Sequence, residues 1–190
     1  NASRIILPNH FGTHLDAPKH FNPNGITMAE LPDEIFGYEG DEIVVIDLPE
    51  RCVPEGIILK EDLERFSDQI KGKRLLLIRT GFQKYKKSDP DTYENHGLSF
   101  HSEACKWLID ETDKLECIGM DWLSIASPTN SYGVDAHQWL LGNHRDRYIV
   151  AIEDMNMEPL GDQRIEVLTL GPLRVKGIDS AQVNIMAKVS

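Results

Sequence analysis

The stretch NHFGTHLDAPKHF, Asn9 to Phe21, holds three of the chain's seven histidines and an aspartate, set around Gly12 and Pro18. A lone loop histidine is ordinarily a surface residue or a satisfied hydrogen-bonding group. Four ligand-type side chains at 10, 14, 16 and 20, spaced H-x-x-x-H-x-D-x-x-x-H, ask for a more specific reading. On a helix His10 and His14 share a face, but Gly12 and Pro18 oppose a regular helix. A turn at Gly12 can fold the two imidazoles toward one point. In an extended segment residues 14, 16, 18 and 20 project from one side, so His14, Asp16 and His20 face one cavity. Neutral imidazole with carboxylate suits zinc, manganese or iron rather than a thiolate-seeking ion. Such an ion lowers the pKa of bound water toward about 7. A further, unliganded histidine can then move protons.

Outward from this stretch, the 190 residues suffice for a single domain with a sizeable core. Composition is that of a soluble globular protein, 41% hydrophobic and 27% charged. A net charge of -11 argues against nucleic-acid partners and anionic membrane surfaces, which need a positive face. No apolar run approaches the roughly 20 residues of a membrane span. Cys52, Cys105 and Cys117 are odd in number and widely spaced, and no C-x-x-C exists. That is neither a disulfide framework nor a zinc ribbon, and a reducing, cytoplasmic setting is expected. The chain starts at Asn1 rather than methionine, which leaves a leader sequence open.

Residues 4–7 read as a short strand leading into the histidines. EIVVIDL (42–48), RLLLIRTG (74–81), LECIGMDWLSI (115–125) and YIVAIEDM (148–155) read as buried strands, being continuous and rich in β-branched or aliphatic residues. LKEDLERFSDQI (59–70) has a helical apolar period. Residues 84–97 read as a long loop, Ser99 as the N-cap of a helix through 100–110, and 134–142 as a short helix stopped by Gly142. RIEVLTLGPLRVKG (164–177) and AQVNIMAKV (181–189) add two strands. The alternation gives an α/β fold with a mixed sheet. There is no G-x-G-x-x-G, P-loop or G-x-S-x-G motif, which disfavours dinucleotide binding and covalent hydrolysis.

HFGTHLDAPKH (10–20) resembles the H-x-G-T-H-x-D-x-P-x-H signature of the cyclase family of metal-dependent hydrolases, which includes bacterial kynurenine formamidases and isatin hydrolases. The resemblance runs on through LLLIRTGF, LSFHSEACKWL, IGMDWLSI and AHQWLLG…IVAIEDM. It implies a swivelling β/β/α domain over 1–190, with an N-terminal portion of the family domain lacking a counterpart. It implies two divalent ions, zinc first and manganese second. His10, His14 and Asp16 would hold the first, His137 the second, and Asp16 and Glu153 would bridge them. His20 would be the general acid/base. The expected reaction is cleavage of a small amide, an aryl formamide or a cyclic amide, by metal-activated hydroxide. Alternatives are lactone or ester hydrolysis at the same site, or a non-catalytic metal-binding sensor or structural subunit, against which the retained His20 argues. The resemblance also implies a homodimer or homotetramer acting on a small molecule.

Two departures stand out. Sixteen positions separate His137 from Glu153, with NHRDR (143–147) as an apparent insertion, so His144 rivals His137. Asp154 likewise rivals Glu153, since strand alternation lets only one face the site. KGIDSAQVNIMA (176–187) keeps the family's closing pattern only in part and reads as structural. Asp121 is balanced between supporting a metal-bound histidine and a purely structural role. Arg79 and Thr80 read as loop anchors, His96 and His101 as surface residues, and Trp107, Trp139 and Cys105 as core.

Overall fold

The computed structural model describes residues 2–190, and among these the chain forms ten strands and six α-helices. The strands are β1 (His14–Asp16), β2 (Gly37–Glu39), β3 (Ile43–Asp47), β4 (Ile57–Ile58), β5 (Leu75–Arg79), β6 (Ser99–Phe100), β7 (Cys117–Met120), β8 (Val150–Glu153), β9 (Ile165–Pro172) and β10 (Ser180–Val189). The helices are α1 (Lys60–Glu64), α2 (Ser67–Ile70), α3 (Tyr85–Ser88), α4 (Pro90–Asn95), α5 (Ser102–Glu111) and α6 (Tyr132–Leu140). Eight strands form one mixed sheet in the order β2-β9-β10-β1-β8-β7-β5-β3, and β4 pairs with β6 separately. β3, β5, β7 and β8 are mutually parallel. β1 runs antiparallel to both β8 and β10, and β9 antiparallel to β10 and β2.

The continuous apolar runs follow from burial on both faces. In β5, Leu76 and Ile78 pack with Leu108 of α5 and with Ala136 and Leu140 of α6. Leu75 and Leu77 point the other way, into a second cluster with Leu168, Leu170 and Val183 of the antiparallel half. Each such buried side chain contributes about 1.5–3 kcal/mol. The antiparallel half therefore covers one face of the parallel half and the helices cover the other, a β/β/α layering. This is the mixed α/β architecture expected from the sequence.

Several local expectations are corrected. Residues 4–7 form no strand, and Ile5, Ile6 and Leu7 lie exposed. The strand begins at His14 instead, and the extended segment ends at Asp16, because Pro18 opens a 3-10 turn, Pro18–His20. The helix expected over 59–70 breaks at Arg65–Phe66 into α1 and α2. The loop expected over 84–97 is largely helical, with Asp89 capping α4 by accepting from Thr92 N and Pro90 at its first position. α5 is capped by His101, not Ser99, which lies in β6.

Two local features hold the helices in place. Gly133 opens α6, and a Cβ there would stand 2.3 Å from Ala126 Cβ, so only glycine lets the helix sit on that loop. Within the 143–147 segment, Arg147 donates to the carbonyls of Ile109 (2.6 Å) and Leu115 (2.8 Å), which ties down the end of α5. Among the described residues no helix is long and apolar enough to cross a membrane.

Candidate metal centre

β1 lies between β8 and β10, and its register sets His14 opposite Glu153 of β8 and Asp16 opposite Ser180 of β10. Alternation sends Leu15 into the apolar cluster while His14 and Asp16 share the other side. Gly12, at φ +69°, reverses the chain and returns His10 over the same spot, as a glycine turn permits. The Pro18–His20 turn brings His20 back from the far side, and α6 delivers His137.

The six residues expected from the sequence converge. His10 Nδ1 lies 3.2 Å from Asp16 Oδ1, and His14 Nε2 lies 3.6 Å from the same oxygen and 3.2 Å from Glu153 Oε2. His137 Nε2 is 3.5 Å from Glu153 Oε1, and His20 Nε2 is 3.9 Å from Asp16 Oδ2. Two groups have ligand atoms close enough to share one ion, His14–Asp16–Glu153 and His10–Asp16–His20. Asp16 belongs to both.

Ring tautomers are set by the backbone. His14 Nδ1 donates to Gly12 O at 2.7 Å and His137 Nδ1 to Gly133 O at 2.6 Å. A carbonyl only accepts, so both Nε2 atoms are left unprotonated in the neutral ring and aimed at Glu153. Among the described residues, His14 Nε2 and both oxygens of Asp16 are buried without a hydrogen-bond partner. The imidazoles near Asp16 approach without hydrogen-bond geometry. A fully buried carboxylate left this way costs several kcal/mol, and a divalent cation among these atoms answers the deficit. The donor set therefore fits a metal.

The electrostatics agree. Burial works to lower the pKa of His14, but Glu153 and Asp16 lift it to about 9. His137 is raised against burial by Glu153, and His10 against burial by Asp16. Burial opposes ionisation of Glu153, yet His137 and His14 hold it well below the usual carboxylate range. The carboxylates thus draw positive charge onto the cluster. His20 differs, because burial dominates and lowers it.

The rivals lie elsewhere. His144 Nε2 pairs with Asp135 Oδ1 at 2.8 Å beside Trp139, away from the cluster. Asp154, at φ +57°, turns its carboxylate to Lys86 Nζ (2.7 Å) and to the Tyr93 hydroxyl. Asp121 accepts from Thr80 N, Thr80 Oγ1 and Gly81 N, a structural role. Arg79 pairs with Asp47 and donates to Gly161 O.

Other contributors went unread in the sequence. Glu153 Oε1 accepts from Ser124 Oγ (3.0 Å) and Ile125 N (2.7 Å). Phe21 stacks on His137 with ring centroids 4.3 Å apart. Asp179, in the segment read as structural, places Oδ2 3.0 Å from His20 Nδ1 and 3.4 Å from His10 Nε2. Its Gly-Ile-Asp setting was the available signal.

A family model described as "Putative cyclase" matches residues 2–127. An uncharacterized protein of Haemophilus influenzae is 34% identical over 127 residues, 65% of this chain and 87% of that protein. A protein named kynurenine formamidase from Bacillus thuringiensis subsp. konkukian is 26% identical over 188 residues, 99% of this chain and 80% of that one. The chain spans 64% of the length of a rice cyclase-like protein that it also matches. Among solved structures, an isatin hydrolase bound to the product analogue thioisatinate superposes with a TM-score of 0.76 at 18% identity, over 96% of this chain and 72% of that one. At that identity the likeness is one of fold.

Proposed function

Because this chain belongs to the cyclase family, and because its fold gathers these side chains at one point, we propose that it is a metal-dependent hydrolase of small amides. The observation that carries the reading is the buried trio of unpartnered atoms, Asp16 Oδ1, Asp16 Oδ2 and His14 Nε2. His10, His14, Asp16, His137 and Glu153 would hold two divalent cations, zinc or manganese, with Asp16 and Glu153 as the carboxylates common to both. Bound there, the cations supply Lewis acidity, polarising a carbonyl and acidifying water.

The remaining work falls to the chain. His10 and His20 are the partly exposed members of the cluster, so substrate approaches from their side. His20, neutral because burial lowers its pKa, takes a proton from the attacking water and returns it to the departing nitrogen. Ser124 and Ile125 N hold Glu153 in place from behind. The names kynurenine formamidase and isatin hydrolase among the relatives support aryl formamides and cyclic amides as the first substrates to try. A homodimer or homotetramer belongs to the same reading, and light scattering tests it.

The experiment is a metal-replete assay of wild type and His20→Ala over a panel of aryl formamides, cyclic amides, lactones and esters. The expected result is amide cleavage that falls about 10²–10⁴-fold in the variant with metal content unchanged. Equal turnover by His20→Ala sinks the proton-transfer role. Metal uptake with no hydrolysis across the panel sinks the enzyme reading in favour of a binding protein.

A further inference from the structure

Asp179 stands just ahead of β10, beside the point where Asp16 and Ser180 are register partners. Its backbone is fixed, since its carbonyl accepts from Ala17 N at 2.9 Å and the preceding Ile178 carbonyl accepts from Met28 N at 3.1 Å. His20 is anchored through the same residue, its own N–H donating to Ala17 O at 3.0 Å. Two segments far apart in sequence thus share one frame, and on it Asp179 Oδ2 meets His20 Nδ1 at 3.0 Å. The other carboxylate oxygen accepts from Asn9 Nδ2 at 2.5 Å, which stops the group from rotating away.

We propose that Asp179 is a positioning residue for His20, fixing Nδ1 as the ring nitrogen that carries the proton and turning Nε2 inward toward Asp16. An ionised carboxylate can only accept, so the shared proton resides on Nδ1. Nε2, 3.9 Å from Asp16 Oδ2, is then the atom that accepts and releases the travelling proton. Without Asp179 the neutral ring divides between two tautomers and loses its rotational anchor. The inference rests on the reading of His20 as the proton-transfer group. The competing arrangement is through His10, whose Nε2 lies 3.4 Å from the same Asp179 oxygen. That contact is longer, and it makes Asp179 a support for a metal-holding imidazole instead.

The test compares zinc-loaded wild type with Asp179→Ala and Asp179→Asn, reading kcat, KM, zinc content and the ¹⁵N shifts of His20. Because the Asp179 side chain is about one third exposed, its removal leaves the core intact. Expected in Asp179→Ala are a loss in kcat of about 10–100-fold, unchanged KM and zinc content, and His20 nitrogen shifts that move from a fixed Nδ1–H toward a tautomer mixture. Asp179→Asn keeps an acceptor oxygen and recovers part of kcat. Unchanged kcat with unchanged His20 shifts overturns the proposal. So does a fall in zinc content whose correction by added zinc restores full kcat, which assigns Asp179 to His10. His20→Ala is run alongside. If it keeps full turnover, the proton-transfer reading fails by itself, and the His20 shifts in Asp179→Ala still decide the positioning role.

Discussion

Asp16 and Asp121 are both fully buried, and the fold treats them in opposite ways. Asp121 is met by its own donors, the backbone N–H groups of Thr80 and Gly81 and the Thr80 hydroxyl, all within 3.0 Å. Burial still pushes its carboxyl up, against the pull of those donors. Asp16 has no hydrogen bond to either oxygen and faces a ring of imidazole nitrogens instead. A structural carboxylate brings its partners with it, whereas one kept for a cation is left facing ligand atoms of its own kind. The pair gives an internal control for every experiment on the centre.

The sharpest way to break the comparison is Asp16→Asn. Halving the acidic charge of the cluster is expected to reduce bound metal to background and amide hydrolysis by about 10³-fold or more, the several kcal/mol that a Lewis acid supplies. Elemental analysis and the amide assay check it, and metal retained at wild-type level refutes the role given to Asp16. Next in size is chelation. Ligand bound only to the native state stabilises by about 2.7 kcal/mol at a hundred times Kd. EDTA is therefore expected to lower the melting temperature of wild type and leave that of Asp16→Asn where it was. Asp121→Asn should do the reverse of Asp16→Asn. It loses about 1–3 kcal/mol of stability by urea titration, the usual cost of disturbing a buried charged acceptor, and keeps its metal.

The smallest effect is a proton count. In the metal-free protein His14 is lifted to about 9 by Glu153 and Asp16, overcoming burial. A raised pKa contributes stability that is complete below the unfolded value near 6.5 and vanishes as pH climbs through about 9. Chelated protein is therefore expected to lose stability across that interval in denaturant titrations. Near pH 7.5, calorimetry in buffers of different ionisation enthalpy should show about one proton released from His14 as the cation replaces it. No release means His14 is not a ligand.

Much of this was legible because it is local. Four site residues fall within eleven positions, and β5 declares itself as Leu75–Ile78 because both its faces are buried. What escaped was of two kinds. Short polar helices such as α3 and α4 carry no apolar period, although Asp89-Pro90 is a start signal that the loop reading passed over. Asp179 was read as structural because its function depends on a strand register, Asp16 opposite Ser180, that no local pattern encodes. His137 is favoured over His144 already by its H-x-x-L-L setting, and the structure adds the reason each rival is occupied elsewhere, His144 with Asp135 and Asp154 with Lys86 and Tyr93.

β1 is only three residues long, yet it is the ladder that joins the two halves of the large sheet. Two of those three residues, His14 and Asp16, are also buried groups of the cluster. The seam of the architecture and the chemical centre are thus one object. A shear of either half against the other shifts Glu153 or Asp179 relative to β1, so a cation held by His14, Asp16 and Glu153 would pin β1 to β8 across that seam.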